Sequence, residues 1–155
     1  MRILGIDPGT RIVGYGVLDV KGNVLEPVAS GLIRTSVKEN IPFRLREIWE
    51  GVGEVLRRVC PDVAVVESIF HGKNTSSLIK IGEARGVILL AAVVQNIPTE
   101  SFSPAEVKKS VTGRGNARKE QVREMVRVIL GHAIDAETDD VTDAMAIAIC
   151  KSHRL

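Results

Sequence analysis

Ile3-Leu4-Gly5-Ile6-Asp7-Pro8-Gly9-Thr10 decides the fold. An apolar run stops on a carboxylate, and the next two residues are one without an N–H and one that permits a tight turn. The reading is a buried strand with an acid at its exit. Val63-Ala64-Val65-Val66-Glu67 repeats the pattern further along the chain. A carboxylate in such a place is costly to desolvate unless a positive group meets it. No lysine or arginine next to Asp7 or Glu67 in the sequence offers obvious pairing. Asp7 is also compatible with an Asx turn that only caps its own loop. Glu67 is harder to explain structurally, because glutamate favours neither strands nor turns.

Working outward, residues 12–20 and 24–34 read as strands around the turn Lys21-Gly22-Asn23, so three successive strands form an antiparallel meander. A helix over 41–59 carries Ile41, Leu45, Ile48, Val52, Val55 and Val59 at the helical period and stops at Pro61. Strand 62–67 is apolar on both faces, as a central strand covered by helices would be. Helix 76–95, a short strand near 99–102, a helix opening at Ser103-Pro104, a helix over 117–130 and a last helix over 139–152 capped by Thr138 complete the order. The implied architecture is α/β: a mixed five-stranded sheet, antiparallel meander plus parallel strands, with helices on both faces, in one domain spanning 1–155. The crossover into 62–67 lays that strand parallel to 2–7, so Asp7 and Glu67 should emerge side by side.

The 155 residues are 45% hydrophobic and 26% charged, an ordinary balance for a chain with a substantial core. Cys60 and Cys150 end predicted helices without a CxxC or ligand-spaced histidine, which reads as core thiols in a reducing compartment rather than a zinc site. No basic and apolar leader opens the chain, and the longest apolar run, Val87 to Val94, is too short to span a bilayer. The expectation is a cytoplasmic protein without membrane association. Net charge is +2, but Ser68 to Arg127 holds ten basic residues against five acids, and Val128 to Leu155 holds five acids against two basic residues. An acidic centre beside a basic segment suits a metal site that holds a polyanion. A solvated helix face is the bland alternative.

Asp139, Asp140 and Asp143 crowd the start of the last helix, where acids favour the macrodipole. That account covers Asp139 and Asp140 but not Asp143, which lies beyond the first turn. Asp140 and Asp143 share a face, toward which Ala144 and Ala148 allow close helix packing. The expected set is therefore Asp7, Glu67, Asp140 and Asp143, with Asp139 left as a capping or solvated acid. Four carboxylates around a cleft raise one another's pKa until cations bind. Hard oxygen ligands suit Mg²⁺, with Mn²⁺ as a substitute, and two ions about 3.5–4 Å apart suit an in-line phosphodiester displacement. Lys119 is either an aid at the scissile phosphate or a solvated lysine at a helix start.

Gly5-Ile6-Asp7-Pro8-Gly9-Thr10, Val66-Glu67-Ser68-Ile69-Phe70, Gly82-Glu83-Ala84-Arg85-Gly86, Val107-Lys108-Lys109 through Lys119, and Asp140-Val141-Thr142-Asp143-Ala144 together resemble the RuvC family of bacterial Holliday junction resolvases. Each motif is weak alone; five in order along the whole chain are specific. The resemblance implies a ribonuclease H-like fold and a homodimer that places paired symmetric nicks in four-way DNA junctions during recombination and repair. It implies metal binding by Asp7, Glu67, Asp140 and Asp143, phosphate contacts by Lys108 and Lys119, and base stacking by Phe70. The bland alternative for Phe70 is an ordinary core aromatic. Lys73 and Arg114, in the loops 71–74 and 112–116 of the basic segment, are the other expected DNA contacts. The branch-migration helicase complex (RuvA and RuvB) is the implied protein partner.

Helix 76–95 is apolar all round, with Gly82 and Gly86 forming a small face, and must be buried in the core or across a subunit contact. Three rival functions share parts of this pattern. An actin-like kinase shares the opening Gly-Ile-Asp-x-Gly-Thr but needs a second domain. A ribonuclease H-like nuclease that processes structured RNA shares fold and metal chemistry. A non-catalytic junction-binding module would be weakened by four acids that no metal neutralises.

Overall fold

The computed structural model describes residues 1–69, 75–131 and 138–155. Phe70 and Lys73 therefore lie outside the described residues. The elements are β1 (Arg2–Asp7), β2 (Ile12–Lys21), β3 (Val24–Arg34), α1 (Ile41–Val59), β4 (Val63–Glu67), α2 (Thr75–Val94), β5 (Thr99–Phe102), α3 (Pro104–Thr112), α4 (Lys119–Leu130) and α5 (Asp139–Ser152). They form one five-stranded sheet in the order β3-β2-β1-β4-β5. β1 runs antiparallel to β2 and parallel to β4, with Ile6 opposite Val66, so Asp7 and Glu67 leave the sheet at the same end.

Strand alternation divides the core. Leu4, Ile6, Val13, Val17, Ala64 and Val66 face α1 and α2, where they meet Ile48, Val52, Leu56, Ala84 and Ile88. Ile3, Leu18, Val63 and Val65 face α3, α4 and α5, where they meet Val107, Val122, Met145, Ile147 and Ile149. Fully burying each of these larger side chains contributes about 1.5–3 kcal/mol. Asp7 and Glu67 share the parity of Ile3 and Val63. Their side chains therefore belong to the α3–α4–α5 face.

The central helix of that face, α5, comes unusually close to the sheet. A Cβ on Gly5 would lie 2.2 Å from the carbonyl oxygen of Ala144, and one on Gly14 would lie 2.2 Å from that of Asp140. Gly14 is also the strand partner of Asp7. Bare backbone on β1 and β2 thus brings the start of α5 down beside the end of β1. The expected approach through Ala144 and Ala148 is met, and the strand glycines are what it rests on.

Two details differ from expectation. Cys150 is buried, but Cys60 is exposed. Cys60 follows the last residue of α1 in the left-handed region (φ 46), its N–H bonding to the Leu56 carbonyl, and this turn carries it out of the core. The helix expected from 117 begins at Lys119, because the Gln121 side chain accepts the Arg118 N–H at 2.9 Å and closes the first turn there. Helix α2 is buried on only one side: Ala84, Ile88, Ala91 and Ala92 pack inward, while Ile79, Leu90, Val93 and Val94 are more than half exposed. No helix among the described residues is long and apolar enough to cross a membrane.

Candidate active site

The two strand ends, the first turns of α5 and the start of α4 meet at a cleft of about 260 Å³. Asp7, Glu67 and Asp143 supply its acids, Lys108 and Lys119 its cations, and Val107, Val122 and Ala146 its apolar walls. Each acid comes from a different element, placed by the parallel β1–β4 register and by the close seat of α5.

The electrostatics are unfavourable as they stand. Burial, followed by repulsion from Glu67, Asp143 and Asp140, pushes the Asp7 carboxyl up to about 8, against a smaller opposing pull from Lys119. Burial and then Asp143 push Glu67 up to about 7, while Lys108 and Lys119 draw it back. The cations missing from the neighbourhood of these acids in sequence are therefore supplied by α3 and α4. They do not neutralise the cleft. Lys119 reaches Asp143 with Nζ to Oδ2 at 3.4 Å, but its side chain is 65% exposed, so the pair contributes little. Lysine in the first turn of a helix also opposes the macrodipole. Its place at the cleft is better explained by an incoming anion than by the stability of α4.

Asp140 does not line the cleft. It sits in the first turn of α5 above Gly14, and its charge reaches Asp7. Asp139 is exposed and ion-paired with Arg123, as a solvated acid should be. Lys108 lines the cleft from the middle of α3, a helix started by Ser103 and Glu106 in a reciprocal capping box. Arg114 is exposed on a separate groove of about 560 Å³ between α3 and α4, outside the carboxylate cleft. Pro104, Val107 and Val122 were missed by sequence reasoning, since nothing about an apolar residue announces that it walls a site rather than a core.

The donor chemistry fits a hard divalent cation. Buried oxygen ligands of like charge, held at strand ends and pushed toward protonation by one another, are relieved when a cation replaces the protons. As the side chains stand, no three His, Cys, Asp or Glu among the described residues converge tightly enough to enclose an ion. A cation bound there would compete with Lys119 for the Asp143 carboxylate.

The family model "Crossover junction endodeoxyribonuclease RuvC" matches residues 3–151. Proteins of that name from Caldanaerobacter subterraneus subsp. tengcongensis and Brevibacillus brevis are 40% and 44% identical to the chain, covering 99% and 96% of it and 93% and 90% of their own lengths. The structure titled "T. thermophilus RuvC in complex with Holliday junction substrate" superposes with a TM-score of 0.89 at 36% identity, covering 97% of this chain and 92% of that one. The mixed sheet with helices on both faces is thus the ribonuclease H-like α/β fold of these structures, and the chain belongs to the RuvC family of crossover junction endodeoxyribonucleases.

Proposed function

We propose that this protein is a metal-dependent endonuclease that resolves four-way DNA junctions by paired symmetric nicks, in recombination and repair. The observation that carries the reading is one cleft in which three acids from β1, β4 and α5 face two lysines from α3 and α4. That arrangement binds a phosphodiester and a divalent cation together, and it lies in a chain of a junction-cutting family.

In this reading Asp7, Glu67 and Asp143 hold the metal from within the cleft, and Asp140 completes the set from the first turn of α5. Mg²⁺ is the expected ion, two per subunit, with Mn²⁺ able to substitute. Bound there, the ions supply a water nucleophile at neutral pH and neutralise charge building on the phosphate. Lys108 and Lys119 bind the phosphate oxygens, and Lys119 stabilises the charge that develops as the bond breaks. Arg114, Lys73 and Phe70 extend the contact to flanking nucleotides, Phe70 by stacking on a base.

Cutting two strands symmetrically needs two such clefts. The outward apolar side of α2, carrying Ile79, Leu90, Val93 and Val94, supports a homodimer, and Gly86 leaves open space on that helix for close approach. The branch-migration helicase complex, RuvA and RuvB, is the proposed partner, and the cytoplasm the proposed compartment. Incubation with labelled four-way junction, linear duplex and structured RNA, each with Mg²⁺ or with chelator, tests the reading. Paired nicks in the junction alone, only with metal, are expected. Cleavage with chelator, or equal cleavage of linear duplex, would overturn it.

A further inference from the structure

We infer that Arg85 is a positioning residue for Glu67, supplying the hydrogen bond that the neighbouring strand cannot. The N–H groups of Ala64 and Ser68 bond to the carbonyls of Pro98 and Phe102 on the β5 side. Backbone groups alternate along a strand, so the carbonyl of Glu67 faces β1 instead. Just before β1, the Val20 N–H donates to the Met1 carbonyl and the Met1 ammonium donates to the Val20 carbonyl, so odd-numbered residues of β1 face β2. The Arg2 carbonyl accepts from Asp62, so even-numbered residues face the β4 side. Continuing the register one step past Ile6–Val66, the next residue due to donate toward Glu67 is Pro8, just beyond the end of β1, which has no N–H.

A carbonyl at this depth needs a partner. Arg85 provides it from α2: Nε donates to the Glu67 carbonyl at 3.0 Å, and Nη2 donates to Ser101 Oγ on β5 at 2.6 Å. The planar guanidinium thereby spans from the end of β4 to its neighbour in the sheet, and both donors are fixed by one group. The peptide it grips carries the Glu67 side chain into the cleft. The Pro8 that ends β1 sharply after Asp7 also leaves the second acid's backbone unsatisfied, and Arg85 answers that need. Among the described residues Arg85 bonds to the Glu67 carbonyl and to Ser101, not to a carboxylate of the cleft, so it acts through the Glu67 backbone.

This inference rests on the proposed metal-dependent nuclease reading, and its test has an arm independent of cleavage. Mn²⁺ binding to the full chain without DNA is measured by calorimetry, alongside single-turnover junction cleavage, junction binding and thermal unfolding. Loss of a group that orients a metal ligand typically costs about 10- to 100-fold in affinity or activity, and Arg85→Ala should lie in that range in both Mn²⁺ affinity and rate. Junction affinity should change by less than about threefold, as expected when no phosphate contact is lost. Arg85→Lys, which keeps one donor, should recover part of the loss. The decisive variant is Pro8→Ala in the Arg85→Ala background. It restores an N–H opposite the Glu67 carbonyl and should regain about 3- to 10-fold in Mn²⁺ affinity. Arg85→Ala with wild-type Mn²⁺ affinity, or a folded double variant that regains nothing, would overturn the assignment. If the wild-type protein leaves junctions uncut, the functional reading fails while the Mn²⁺ titration still decides Arg85.

Discussion

Asp7 and Asp19 are the same residue type on adjacent strands of one sheet, and their environments push them in opposite directions. At one end, Arg2 meets Asp19 with Nε and Nη2 both at 2.8 Å, and the pairing holds the Asp19 carboxyl below its usual range. The backbone N–H of Arg2 bonds to Asp62, and its Nη1 to the Val59 carbonyl, so nearly every charge there has an answer. At the other end, Asp7 is raised to about 8 and Glu67 to about 7 by burial and by other acids. The first end is what a fold does with charge when stability is the only concern. The second keeps charge in conflict, and conflict maintained inside a well-packed fold marks a site that acts on something else.

The contrast breaks most sharply by neutralisation. Asp7→Asn, Glu67→Gln, Asp140→Asn and Asp143→Asn should each lower single-turnover junction cleavage by about 1,000-fold or more, with junction binding largely retained in gel-shift titrations. Near wild-type cleavage by any one of them removes that residue from the set. Asp19→Asn, at the paired end, should leave the rate unchanged and lower the melting temperature by about 2–4 °C.

Lys119→Ala sharpens the assignment of the cations. The rate should fall about 100-fold, far more than junction affinity; equal losses would make Lys119 a phosphate anchor only.

Acidity separates the two ends next. Asp7 and Glu67 have folded pKa values above their free values. Between the ordinary carboxylate range and about 8, the folded state therefore holds more protons than the unfolded chain, and stability falls as pH rises through that window. Melting with chelator should show this decline from about pH 5 to about pH 8, and Asp7→Asn should flatten it. Cleavage should rise over the same window, and higher Mg²⁺ should move the rise to lower pH as metal competes with protons. Asp19, held low by Arg2, contributes in the opposite sense: its stabilisation is present above the free carboxylate value and is lost as pH falls. A flat profile for metal-free protein would mean the cleft acids are not strained.

Gly14→Ala tests the packing that brings the cleft together. Its new Cβ would collide with the Asp140 carbonyl, and overpacking of this kind typically costs about 1–3 kcal/mol, read by denaturant unfolding. Asp139→Asn, which removes only the surface pair with Arg123, should change stability by less than about 0.5 kcal/mol.

Much of this was legible from residue order. The apolar runs ending at Asp7 and Glu67 announced two strands with acids at their tips, and the parallel crossover put those tips together. The Ser103-Pro104 start was readable because capping is a short-range matter of one hydroxyl and one ring. Cys60 was misread because a residue one position past a helix end is buried or exposed according to where the chain turns. The Lys119 contact with Asp143 joins residues far apart in sequence, so no local pattern announced it. Asp140 was grouped with the other acids by helix spacing; its seat above Gly14, from which its charge acts on Asp7, depends on how closely α5 packs on the sheet.

By itself the sequence determined the order of strands and helices, the acids at strand ends and the family, because periodicity, capping and strand termination depend on neighbours a few residues apart. Only the tertiary structure decided which cations face the acids, how far α5 descends onto Gly5 and Gly14, and which group satisfies the Glu67 carbonyl. Those outcomes depend on distances between elements, and such distances are set by packed volume and by the partner each buried polar group finds.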